Sequence, residues 1–438
     1  MNIKLLLLFC LMAATASAQQ QPLQYFRPNT KGGLHVFETD KKDTVSFNGL
    51  RVRIGGNFSQ DFQALSHQND ATALMVDNVN TNQLIGLKNG FDLAMANLNI
   101  DAQLADGIRM NLSMYLSSRH HSETWVKGGY IQFDKLTFLK SDFIDNIMKH
   151  VTIKVGDYEV DYGDQHYRRT DGGNAIYNPF VENYIMDEFT TEIGGEIYYH
   201  HKSGVFAMVG VTNGELNPTV VSPTKIDTVT GELNKYTPAI HGKLGYDKQV
   251  NKDLRVRLTA SFYVDKSAAS NTLFAGDRTG SHYFYVMENT AATSDGNFRS
   301  GRYTPQFSQE VAAVMINPFI KYKGLELFGT YEMAKGRLIT EPDMRTAQQY
   351  AVDLIYRFPE GKENFWIGGR YNAVTATLPK NDNDITISRT VGSAGWFVTR
   401  NIMLKGEYVS QVYSHFASSD IRSGGSFKGI MMAAVVGF

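Results

Sequence analysis

Apolar and polar side chains alternate with a period of two in long runs throughout this chain. "IRMNLSMYLSSR" (108–119) sets Ile108, Met110, Leu112, Met114 and Leu116 against Arg109, Asn111, Ser113, Tyr115, Ser117 and Arg119. Successive side chains leave a pleated backbone on opposite faces, so such a run reads as a strand with one greasy and one wet side. "LRVRIGGNFSQDF" repeats the pattern, with Leu50, Val52, Ile54 and Phe58 facing away from Arg51, Arg53, Asn57 and Asp61. "AMANLNIDAQL" and "LRVRLTASFYVD" do the same around Asn97, Asn99, Asp101 and Gln103, and around Arg255, Arg257, Thr259 and Asp265.

These runs span about ten residues or more, the length of a tilted membrane strand and roughly twice the commonest globular one. Tight turns, "ADG" (105–107), "KSG" (202–204), "NKD" (251–253), "KG" (323–324) and "TRN" (399–401), alternate with connections that are mostly longer and polar. That alternation belongs to an outer-membrane barrel, with short turns on the periplasmic side and long loops outside. Strands are expected near 49–62, 90–104, 108–119, 124–135, 150–158, 191–201, 205–212, 238–249, 253–265, 310–322, 325–335, 346–359, 364–376, 385–397, 402–413 and 426–438. "SHYFYVMENT" (281–290) is left in a long outer loop. The expected fold is all-β: a transmembrane antiparallel β-barrel of about sixteen strands over 48–438, its apolar face on lipid and its polar face around a lumen. Closure satisfies every backbone group where lipid offers no hydrogen bonds. "YAVDLIYRF" places Tyr350, Val352, Leu354, Tyr356 and Phe358 outward, aromatics at the ends and aliphatics between, as in an aromatic girdle. "SDFIDNIMKH" (141–150) has helical spacing behind Ser141 and reads as a short periplasmic helix.

The chain opens with a positive start, an apolar run and Ala16-Ser17-Ala18, a secretory signal over 1–18 with cleavage expected after Ala18. The single cysteine, Cys10, falls within it, so the mature chain offers no disulfide, thiol nucleophile or cysteine metal site. Residues 19–47 form an N-terminal periplasmic segment, too short for a plug domain but long enough to reach into the lumen. A net charge of -1 argues against a nucleic-acid partner. A mean hydropathy of -0.28 beside 12% aromatic residues fits a wall wet on one side, and also fits a secreted β-sandwich enzyme.

The third outer loop, about 159–190, mixes acids and bases with an apolar group, Ile176, Tyr177, Pro179, Phe180, Tyr184, Ile185 and Met186. A loop exposed to water does not need that group; a loop folded into the barrel does, to pack on the wall. The constriction is therefore assigned to Arg168 and Arg169 facing Asp164, Asp171, Glu182, Asp187 and Glu188, a transverse field that filters solutes by size and charge. The basic residues in lumen phase are Arg51, Arg53, Arg109, Arg119, Lys127, Lys154, Arg255, Arg257 and Arg370. Asp101, Glu192, Glu196, Glu326 and Glu332 share that phase.

The signal, the alternating strands, "GLRVRIGGNFSQDF", "RRTDGGNAIYNPFVENYIMDEFTTEIGGE", "INPFIKYKGLELFG" and a terminal phenylalanine together resemble Bacteroidetes porins similar to the phosphate-selective porin O and P family. The resemblance covers essentially the whole mature chain, and the loop motif is its most specific part. It implies a trimer of sixteen-stranded barrels in a Gram-negative outer membrane, an inward third loop, and insertion by the barrel-assembly machinery guided by Phe438. Phosphate-selective members use a ladder of lumen arginines and a lysine cluster. The interspersed acids here lead to an expectation of passive diffusion of small hydrophilic solutes with a weak anion preference.

No catalytic motif, cofactor or metal is expected. His120-His121 and His200-His201 are adjacent pairs whose side chains diverge on a strand, and Asp157, Asp161 and Asp164 lack calcium-loop spacing. The alternative function is a secreted all-β enzyme such as a carbohydrate-active hydrolase, which would need two carboxylates across a cleft.

Overall fold

The computed structural model describes residues 22–92, 95–117, 119, 122–170, 173–379 and 383–438. The expected leader, His120, His121 and Asp171 lie outside the described residues.

Sixteen long strands form the wall: β1 (Arg51–Gln68), β2 (Met95–Ala105), β3 (Ile108–Leu116), β4 (Trp125–Phe133), β5 (Val151–Glu159), β6 (Thr191–His200), β7 (Val205–Thr212) and β8 (Ala239–Gln249) come first. They are followed by β9 (Leu254–Asp265), β10 (Glu310–Tyr322), β11 (Leu325–Arg337), β12 (Arg345–Phe358), β13 (Phe365–Thr377), β14 (Asp384–Phe397), β15 (Ile402–Ser414) and β16 (Ser426–Gly437). Each pairs antiparallel with its sequence neighbours, and β1 pairs with β16 from Asn57↔Gly437 to Gln68↔Ser426, which closes the ring. A two-residue piece, Gly90–Phe91, adds to the edge of β1 beyond β2. The first strand is longer than expected: it continues through Ala64, Leu65 and His67 because β16 supplies partners up to Gln68.

The phase agrees with the alternation in the sequence. Val352, Leu354 and Tyr356 face out, while Gln349, Asp353 and Ile355 on the same strand are fully buried. At the periplasmic rim the outward rings of Tyr356, Phe358, Phe365 and Trp396 form a row, each centroid 5.8–5.9 Å from the next. Such a girdle suits the headgroup level, where an aromatic ring has an apolar body and a polarisable edge. The turn between β4 and β5 carries a helix, Asp142–Met148, whose Ser141 side chain accepts from the Ile144 amide at 3.5 Å.

The inner face is divided. On β2 to β5 the inward positions are polar: Asn97, Asp101, Gln103, Arg109, Lys127, Gln132, Thr152 and Lys154. From β10 to β16 many are apolar: Val311, Met315, Phe319, Phe328, Trp366, Val374, Ile387, Val391, Val409, Met431 and Val435. A strand that is apolar on both faces must bury both. Lipid covers one face, so something within the barrel has to cover the other.

Candidate functional site

The third outer loop, residues 160–190, provides that cover. Ile176, Phe180, Ile185 and Met186 are withdrawn from water and join Trp366, Val374, Ile387, Val409 and Val435 in one apolar cluster. Its backbone is tied to inward side chains around the barrel. The Asp164 amide donates to Asn317 (2.9 Å), Ile176 to Asn57 (3.1 Å), Ile185 to Asn372 (2.7 Å) and Met186 to Gln349 (2.9 Å). Lys405 on β15 donates to the carbonyls of Ala175 (3.1 Å), Asn178 (3.1 Å) and Phe180 (2.7 Å). An unpaired amide or carbonyl in that interior would cost about 1–3 kcal/mol, so these bonds specify where the loop lies.

A second loop also enters. Residues 266–309, between β9 and β10, come down onto the third loop. Arg302 ion-pairs Glu182 (2.7 Å) and Asp187 (2.5 Å), Lys127 pairs with Asp277 (2.5 Å), and Tyr283 donates to Glu407 (2.6 Å). His282 meets Asp61 through Nδ1, and its Nε2 lies 2.9 Å from the Thr170 carbonyl. The segment 281–290, expected in an outer loop, belongs to one, but the loop folds inward rather than standing in water. Nothing in its local pattern announces this, since its partners lie far away in sequence.

The N-terminal segment enters from the other end. Residues 22–47 run across the periplasmic mouth inside the barrel. The Gln24 amide donates to Gln103 on β2 (3.0 Å), and Asn29 donates to the carbonyl of Phe438 (3.1 Å). His35 approaches Glu326 (3.5 Å), and Phe37 packs edge-on against Phe319 at 5.4 Å between centroids. Glu38 ion-pairs Arg257 (2.7 Å), and Lys41 donates to the carbonyls of Asp134 and Val151. This strap also holds the third loop from below, with Arg27 lying 3.7 Å over the Tyr177 ring.

A cavity of about 310 Å³ lies between the third loop and the polar wall of β2 to β6, floored by the strap, and a second opening of about 400 Å³ lies between the second inward loop and residues 419–422. Arg53, Asn97, Asn99, Asp101, Arg109, Asn111, Lys127 and Lys154 line the first from the wall; Glu159, Asp161, His166, Tyr167 and Arg169 face them from the loop side. Phe26, Arg27, Phe37, Glu38 and Thr39 belong to the strap. The lining is a mosaic of opposite charges at contact distance, Arg53 with Asp101 at 2.6 Å and Lys154 with Glu196 at 3.2 Å among them. It can pass or hold a small hydrophilic solute.

The residues assigned to the constriction separate. Arg169 lines the cavity, braced by Asp187 (2.6 Å) and Glu159 (3.3 Å). Arg168 points the other way, into the far wall, where it meets Glu326 at 2.8 Å. Asp164 is buried behind the loop against Arg257 (2.7 Å) and Lys243 (3.3 Å). Glu182 and Asp187 bridge the third loop to the second inward loop, and Glu188 is buried with them. Of the lumen bases, Arg53, Arg109, Lys127 and Lys154 line the cavity. Arg255 and Arg257 lie beneath the strap, paired with Asp247 (2.7 Å) and Asp164. Arg370 lies beneath the third loop, paired with Asp353 (2.7 Å). Arg51 starts β1 opposite Gln103, and Arg119 meets Asp295 of the second inward loop at 3.0 Å. His200 lines the cavity, while His201 is exposed beside Ser203. Phe438 exchanges backbone hydrogen bonds with Gly56, extending the β16 to β1 seam. The strap residues were missed because "QYFRPNTKGGLHVFETD" has no strand period and its partners are distributed around the ring.

No protein-family model matches the sequence, and no curated protein does. Among solved structures the chain is similar to the anion-selective porin from Comamonas acidovorans, with 10% identity and a TM-score of 0.54, covering 89% of this chain and 100% of that one. It is also similar to the outer membrane channel DcaP of Acinetobacter baumannii, with 13% identity and a TM-score of 0.48, covering 90% and 99% of the two chains. Outer-membrane expressed OmpT of Vibrio cholerae aligns with 10% identity and a TM-score of 0.48, over 90% and 100%. At 10% identity the likeness to the Comamonas protein is one of fold: a closed antiparallel barrel of the outer-membrane porin type.

Proposed function

We propose that this chain is an outer-membrane porin, a non-enzymatic channel through which small hydrophilic solutes and ions diffuse passively. The observation that carries the reading is the polar cavity left between the third loop and the β2 to β6 wall, inside a closed barrel with an apolar outer belt. A wall that buries so many inward polar groups around a hydrated passage fits a solute path, as selectivity in such pores comes from lining charge and width. The anion-selective channel of Comamonas shares this architecture and lends support to a preference for anions here.

The finer reading is a weakly anion-preferring relative of the phosphate-selective porin O and P group, secreted with cleavage after Ala18, inserted by the barrel-assembly machinery through Phe438, and assembled as a trimer. The paired acids favour weak preference over strong phosphate selection. Cross-linking in detergent that yields monomers alone would remove the trimer from this reading.

Planar-bilayer recording tests the function. Purified protein is expected to insert with discrete conductance steps; its failure to do so alongside a working reference porin would defeat the proposal.

A further inference from the structure

The cations that line the cavity are not equivalent. Arg53 is held by Asp101 (2.6 Å), Arg109 by Asp134 (2.9 Å), Lys127 by Asp277 (2.5 Å), Lys154 by Glu196 (3.2 Å) and Arg169 by Asp187 (2.6 Å). A cation with a carboxylate at contact distance presents a passing ion with a dipole, and opposite Coulomb contributions largely cancel a few ångströms away. These paired cations are polar but nearly neutral in their effect on ions.

Arg27 is different. Its Nε donates to the Gly33 carbonyl at 2.9 Å and its Nη1 to the Tyr167 carbonyl at 2.9 Å. Its guanidinium lies 3.7 Å from the Tyr177 ring centroid, and among the described residues no ion pair involves it. Carbonyls and an aromatic face orient a guanidinium without cancelling its unit charge. An arginine stays protonated throughout the working range. The next residue back, Phe26, has the guanidinium carbons of Arg53 and Arg109 at 5.2 and 4.9 Å from its ring centroid, so the strap reaches from the loop side to the wall at this level. The cavity is bordered below by the strap, which carries a positive charge that no carboxylate cancels at contact distance.

We infer that the strap of residues 22–47 is the inner constriction of the channel and that Arg27 on it, rather than the arginine pair of the third loop, makes the channel prefer small anions such as chloride and simple carboxylates. The inference rests on the porin reading and adds to it the residue that sets ion preference. Screening at physiological salt reaches only about 8 Å, so a charge acts on permeation only if it stands beside the path, as Arg27 does.

The test uses the full mature protein in planar bilayers under a KCl gradient. Wild-type channels are expected to reverse on the chloride side, and Arg27→Gln to lower the chloride-to-potassium permeability ratio about two- to fivefold, the effect of one unit charge about 8 Å from an ion in water. Arg27→Lys, which keeps the charge and loses the paired carbonyl contacts, should retain the wild-type ratio. Unboiled gel mobility confirms that each variant is folded. Removal of 22–47 should both raise conductance and erase the preference. An unaltered ratio in folded Arg27→Gln, or a wild type that already favours potassium, overturns this inference while leaving a porin. Absence of any steps in wild type overturns the porin reading, and this inference with it.

Discussion

Arg168 and Arg169 are adjacent in sequence and end in opposite environments, so their substitutions should separate. Arg168→Ala removes a buried bond to Glu326, which keeps Arg357 at 3.0 Å. The expected cost is about 1–3 kcal/mol of stability with reversal potential unchanged, read as a lower unfolding temperature on unboiled gels. Arg169→Ala uncovers Glu159 and Asp187 beside the cavity and should move the reversal potential toward cations. A matching electrical shift in the Arg168 variant would contradict its placement away from the path. His282 gives a pH dependence. Burial alone would lower its imidazole, but the Asp61 carboxylate, with Glu182 nearby, outweighs burial and pushes it up to about 9. A histidine raised above its ordinary value of 6.5 contributes stability that is complete below that value and is lost as pH rises through about 9. Amide protection around 281–284, taken relative to the intrinsic base-catalysed exchange rate, should therefore fall between those limits. Asp61→Asn should flatten that step; a step that persists would place the titrating group elsewhere.

At the scale of elements, strands were legible and loop destinations were not. The period of two sets which side chains meet lipid, and apolar belts bounded by polar turns locate strand ends to within a residue or two, as at β7, β10 and β15. There are three exceptions: β1 runs on to Gln68 because its last residues are held by β16 rather than by an alternating pattern of their own, β2 begins at Met95 rather than 90, and β3 ends at Leu116 rather than 119. The third loop was readable as inward from its apolar residues, yet its direction depended on the opposite partner. A signal for that partner was present in "DITISRTV", where Ile385, Ile387 and Val391 occupy the inward phase and turn aliphatic side chains to the lumen. The strap and the second inward loop gave no comparable sign, since contacts such as Arg302 to Glu182 join residues far apart in the chain. Lys405 offers the cleanest test of the third loop as an element. Lys405→Met preserves bulk and deprives three buried carbonyls of their donor, which should cost roughly 1–3 kcal/mol and loosen the loop. Open-channel current should become noisier. Quiet, wild-type current from the folded variant would mean that the apolar cluster alone holds the loop.

For the molecule as a whole, the division of the lumen wall decides where water runs. Apolar inward residues from β10 to β16 attract the third loop to that side by roughly 25 cal/mol per Å² of buried apolar surface, a gain the polar side cannot match. The loop therefore lies off-centre, the second inward loop packs above it, and the polar cavity lies against β2 to β6. This asymmetry can be read by cysteine chemistry, because the only native cysteine, Cys10, lies in the expected leader. A single cysteine at Asn111 or Ser113, both lining the cavity, should react quickly with a small charged thiol reagent and reduce the current as it does. A cysteine at Gln349 or Asn372, inward on the opposite wall but fully covered, should stay unreactive in the folded barrel. Gln349 and Asn372 also hold the third loop by its Met186 and Ile185 amides, so each variant is compared only after its unboiled mobility matches wild type. If the covered positions label as fast as the lining ones, water passes on both sides of the third loop, and the one-sided path argued from the two halves of the wall is wrong.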